Sequence, residues 1–127
     1  MEGTGGGRGR NGTAPEKGSL QVTRSDRPGG QVLLHIAGEI DLASAPAFRA
    51  GLSAAIENAH GCVLLDLGEV TFIDSAGIEE LVWAREHADG RLRMRALHPS
   101  VQRVLEMTAL LDWFPFADAA DSESNHD

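Results

Sequence analysis

Apolar positions along the chain recur with a strand period in some stretches and a helix period in others. Leu20-Gln21-Val22-Thr23 alternates like a short half-buried strand, and Arg24 to Gly30, with Pro28-Gly29-Gly30, makes a turn into Gln31 to Ala37. After Gly38 comes a polar loop, and Ser44 is placed to cap a helix that has Pro46 in its first turn, where a missing N–H costs nothing. Phe48, Leu52, Ala55, Ile56 and Ala59 fall at helical spacing, and Gly61 closes that helix. Cys62 to Leu67 does not alternate, which predicts a strand buried on both faces and parallel to its neighbours. A second apolar step, Val70-Thr71-Phe72-Ile73, leads through Asp74-Ser75-Ala76-Gly77 into a helix with Ile78, Leu81 and Val82 on one face, ended by Gly90. Leu92, Met94 and Ala96 alternate with Arg91, Arg93 and Arg95, as in a strand near a sheet edge with one basic side facing solvent. Pro99 opens a last helix with Val101, Val104, Leu105 and Thr108 inward, and Leu110, Leu111, Trp113, Phe114 and Phe116 follow as core-capping residues or, on the other reading, a binding patch. Right-handed crossovers turn this order into an α/β fold: a small mixed β-sheet of four to five strands with three to four helices packed against it.

Length allows one domain among the 127 residues, and 42% hydrophobic with 24% charged residues is a globular composition. Residues 1–18 hold seven glycines and almost no large apolar side chain, so they are expected to be a disordered tail; residues 118–127 are expected to be a flexible acidic one. No apolar run approaches the roughly 20 residues of a membrane helix, and the start of the chain lacks a secretory h-region, so no membrane insertion and a cytoplasmic location are expected. Cys62, the one cysteine, reads as a small buried hydrophobe. Residues 31–127 carry six basic and sixteen acidic side chains, a balance that repels a phosphate backbone and points to a protein partner with a basic patch, not to direct nucleic-acid binding.

Candidate chemistry concentrates in Phe72-Ile73-Asp74-Ser75-Ala76-Gly77-Ile78. A hydroxyl stands here where a helix directs its unpaired N–H groups and positive dipole end, so those donors are expected to receive a phosphate placed on Ser75. The plainer alternative makes Asp74 or Ser75 an N-cap and nothing more, worth about 1 kcal/mol. Gly38-Glu39-Ile40-Asp41-Leu42 supplies two further carboxylates in a loop before a helix, either a solvated entry or part of a shared rim. An enzyme is not expected, with no catalytic residues: Ser75 lacks a Gly-x-Ser-x-Gly elbow, the five histidines are scattered, and no metal-ligand spacing occurs.

Taken together, Gly38 to Pro46, Leu64-Leu65-Asp66-Leu67 running on to Ile78, and Pro99 to Glu106 resemble, in the right order over residues 19–117, the STAS domain of bacterial anti-sigma factor antagonists. The resemblance implies the STAS (SpoIIAA-like) fold and partner switching in transcription regulation, as in stress responses. An unmodified antagonist binds an anti-sigma factor and so releases a sigma factor. The anti-sigma factor is itself a serine kinase, and its ATP and magnesium are its own, so no cofactor is implied for this chain. Phosphorylation at Ser75 breaks the complex and a phosphatase restores it. Partner-binding residues by the same resemblance are Glu39, Asp41, Asp74, Ser75, Ala76, Gly77 and Ile78, with Asp74 orienting the Ser75 hydroxyl and holding the turn. Two departures stand out: Ala76 replaces a second serine common in the family, and the helix continues Ile78-Glu79-Glu80, where the family more often places a small or apolar residue at one of these positions. The alternative function is a STAS binding module, not switched by phosphorylation, in a transporter complex or stress-sensing assembly.

Overall fold

In the computed structural model, which describes residues 19–117, β1 (Leu20–Asp26) pairs antiparallel with β2 (Val32–Ile40) across a 3₁₀ turn over Pro28–Gly30. The expected tails, 1–18 and 118–127, lie outside the described residues. From β2 the chain runs through α1 (Ala45–Asn58) to β3 (Val63–Ile73), then through α2 (Ser75–His87) to β4 (Leu92–Leu97), and ends in α3 (Pro99–Met107) and a 3₁₀ turn over Leu111–Trp113. The sheet order is β1-β2-β3-β4, with the β2–β3 and β3–β4 pairs parallel. Parallel neighbours require a crossover, and α1 and α2 supply them. The expected α/β architecture is therefore present, with four strands and three helices among the described residues.

One core joins the sheet to all three helices. Val32, Leu34 and Ile36 of β2 and Val63, Leu65 and Leu67 of β3 meet Phe48, Leu52 and Ala55 of α1, Leu81 and Ala84 of α2, and Val101 and Leu105 of α3. A fully buried side chain such as Phe48 contributes about 1.5–3 kcal/mol through apolar burial. The opposite sheet face carries polar side chains: His35 of β2 lies 3.4 Å from Asp66 of β3 and 3.6 Å from Glu69.

Several local expectations change. β1 runs on through Arg24-Ser25-Asp26, which pair with Leu34, Leu33 and Val32; these three are exposed on an edge strand, so no alternation marked them. The two apolar steps 62–67 and 70–73 form a single strand, because Asp66 Oδ1 accepts the Gly68 N–H at 2.9 Å and the register with β2 shifts between His35 and Ala37. Cys62 lies just before that strand and is half-buried. Gly61 does not end α1; Asn58 does, and the Arg91 side chain donates to the carbonyls of Ala59 and Gly61, both at 3.1 Å. Arg91 thus serves a helix end and not the solvent-facing side of β4. Thr108 is exposed, its hydroxyl donating to Val104 O at the end of α3. Phe114 is buried, whereas Trp113 and Phe116 are nearly half exposed. The segment after Phe114 extends the edge of β4, with Met94 N donating to Pro115 O and Ala117 N to Met94 O.

Candidate docking and modification site

The carboxyl ends of β2 and β3 lie side by side, Glu39 opposite Phe72 and Ile40 opposite Ile73. This rim is where an open α/β sheet places functional loops. Asp74 continues it: its N–H donates to Ile40 O at 3.1 Å, tying the start of α2 to the end of β2.

Asp74, and not Ser75, is the N-cap. Its backbone is extended, and its Oδ1 accepts the N–H groups of Ala76 at 2.9 Å and Gly77 at 3.3 Å, while Ile78 N donates to Asp74 O. The Ser75 N–H is then the one unpaired donor at the start of α2 among the described residues, so the expectation that several helix donors stand ready for a phosphate is corrected. Asp74 holds the turn, as expected; its bonded oxygen serves amides and not the Ser75 hydroxyl. Ser75 is exposed, and among the described residues its hydroxyl has no hydrogen-bond partner. Asp74→Ala should cost about 1 kcal/mol, read as a lower midpoint in thermal unfolding, because two amides lose their acceptor.

Gly77 is buried. A Cβ there would stand 2.6 Å from Ile40 Cγ2 and 2.7 Å from Ile73 Cγ1, so its lack of a side chain serves the seating of α2 on the strand ends. Ala76 and Ile78 flank it, both half-buried.

The loop after β2 is locked from within. Ser44 Oγ accepts from Asp41 N at 2.9 Å and donates to Glu39 O at 2.9 Å, while Asp41 Oδ1 accepts from Ser44 N at 3.0 Å. Ser44 therefore does not cap α1 with its side chain, contrary to expectation; it is buried under the loop. Asp41 spends one oxygen on this lock, and Glu39 stays half-buried at the strand end. The loop holds Leu42 outward, 78% exposed, and Phe72 is 47% exposed beside Glu39. The sequence reading assigned neither a role, although an apolar side chain in a short polar loop was a usable signal.

Glu79 and Glu80 separate in space. Glu80 pairs with Arg49 of α1, whose guanidinium also sits 4.0 Å over the Trp83 ring, and Trp83 stacks on His87 at 4.3 Å. Glu79 is exposed.

The family model for the STAS domain matches residues 20–123. The chain belongs to the STAS domain family. A Bordetella bronchiseptica protein named "Putative anti-sigma factor antagonist BtrV" is 28% identical to this STAS protein over 100 residues, 76% of this chain and 86% of that one. The crystal structure of an anti-sigma factor antagonist from Mycobacterium paratuberculosis superposes with a TM-score of 0.75 at 24% identity, covering 90% of this chain and 100% of that one. The phosphorylated form of the Bacillus cell fate determinant SpoIIAA does so at 0.59 and 20% identity, covering 86% and 100%. These two structures share the fold. Among the described residues of this STAS domain, no helix is long and apolar enough to cross a membrane.

Proposed function

We propose that this STAS domain is an anti-sigma factor antagonist that binds an anti-sigma factor kinase in the cytoplasm, frees a sigma factor, and is switched off by phosphorylation of Ser75. The observation that carries the reading is an exposed serine at the first position of a helix, held by a neighbouring aspartate cap beside a locked loop that presents Leu42. The names of the Bordetella relative and of the Mycobacterium structure support antagonism, and the phosphorylated SpoIIAA supports a fold compatible with the modification.

The chemistry is phosphoryl transfer directed by the partner. Ser75 Oγ attacks the γ-phosphorus of ATP held with magnesium by the kinase, the bond to the β-phosphate oxygen breaks, ADP leaves, and the hydroxyl proton passes to a base on the kinase. A phosphatase reverses the modification by hydrolysis. With the amides of Ala76 and Gly77 already engaged by Asp74, the added charge of nearly −2 stays at the surface, where a docked protein would have to desolvate it.

The test is incubation with candidate anti-sigma kinases and ATP, followed by mass mapping. Phosphate on Ser75 is expected; modification at other sites alone would refute the assignment. Ser75→Asp should weaken binding to the responsive kinase about tenfold or more, equivalent to about 1.4 kcal/mol, while the thermal midpoint stays nearly constant. Equal binding by the two forms would remove the charge mechanism.

A further inference from the structure

Ser75 and Glu79 are four residues apart on α2 and both exposed. That spacing stacks two side chains on one helix face, and the longer one leans back toward the helix start, over the serine. Other charged groups around Ser75 have prior engagements. Asp74 is bonded to amides, Asp41 to Ser44 in the adjoining loop, and Glu80 to Arg49, the cation that α1 turns toward α2. Glu39 sits one strand end away on β2, half-buried. No described cation pairs with Glu79.

We propose that Glu79 is a resident negative charge that opposes a phosphate on Ser75 and so limits how far the modified state is populated. The inference rests on the reading of Ser75 as the modification site. The helix dipole and the Ser75 N–H favour the phosphate, but like charges at this spacing repel, and Asp74 adds a second carboxylate beside the first turn. The repulsion is modest, about twofold in an equilibrium, and a cation presented to Glu79 by a docked protein would relieve it.

The test uses the full chain with phosphoserine genetically installed at position 75, so that no kinase is needed. Titration by phosphorus NMR should place the second ionisation of the phosphate about 0.3 pH unit lower in Glu79→Gln than in the native sequence, because removing the repulsion eases loss of the second proton. The difference should shrink in about 1 M salt, where the screening length falls to about 3 Å. Glu86→Gln, about three turns from Ser75 on the same helix, should leave the midpoint in place. Equal midpoints in the native and Glu79→Gln chains, an equal shift in Glu86→Gln, or a difference that salt does not reduce would overturn the coupling. Failure of any kinase to modify Ser75 would instead sink the switch and leave this measurement standing.

Discussion

Replacing Gly77 with valine should lower stability by about 1–3 kcal/mol, the usual cost of forcing atoms into a packed core. The first added carbon would meet Ile40 Cγ2 at 2.6 Å, Ile73 Cγ1 at 2.7 Å and Ile73 Cδ1 at 3.1 Å. Both isoleucines are branched at the carbon next to the backbone and buried, so neither can swing aside at low cost. Relief requires the first turn of α2 to lift off the strand ends, which also moves Ser75 away from the Glu39–Ser44 loop. Valine gains little helix propensity over glycine to offset this. Thermal unfolding should show a midpoint lower by roughly 4–8 °C per kcal/mol for a domain of this size. An unchanged midpoint would show that the close seating of α2 is not what requires glycine.

Arg91→Met should cost about 1.5–3 kcal/mol, the range for hydrogen bonds made by a charged group. The Arg91 side chain gathers the end of α1, the loop into β3 and the end of α2: Nη1 donates to Ala59 O and Gly61 O, Nη2 to Ile56 O at 3.4 Å, and Nε to Ala88 O at 3.1 Å. Methionine has comparable reach and no donors, so partly buried carbonyls lose their partners and the negative end of the α1 dipole loses its cation. Arg91→Lys should recover only part of the loss, since an ammonium cannot span these acceptors as a planar fork does. Urea unfolding should show the midpoint falling in the order Arg, Lys, Met at a constant slope; a lysine variant as stable as the native chain would reduce the role of Arg91 to charge alone.

The periodic elements were readable because their apolar spacing matches their geometry: β2, the Val63–Leu67 stretch and the stripe Val101, Val104 and Leu105 all occur as spaced. What escaped were roles decided by distant atoms. Arg91 shares the alternation of Arg93 and Arg95, yet it precedes β4, and its partners are some thirty positions back in the chain. Glu80 reads as a surface carboxylate until Arg49 is folded against it. Asp74 and Ser75 are both good caps by residue type, and backbone direction alone chooses between them. Nothing local to Gly77 announces that Ile40 and Ile73 fill the space where a side chain would stand. Ser44 does occupy the N-cap position of α1, as serine before Ala45-Pro46 suggests, but its hydroxyl turns back to Glu39 and Asp41 instead of bonding the helix amides.

The strand order carries a kinetic corollary. β1 and β2 are joined by a tight turn and can pair early, but β2 meets β3, and β3 meets β4, only after an intervening helix has folded back across the sheet. Ile40, Ile73 and Asp74 come into register through these late pairings. A nascent or partly unfolded chain therefore lacks the rim that the ends of β2 and β3 form with the start of α2, and any recognition of that rim waits until the sheet has closed.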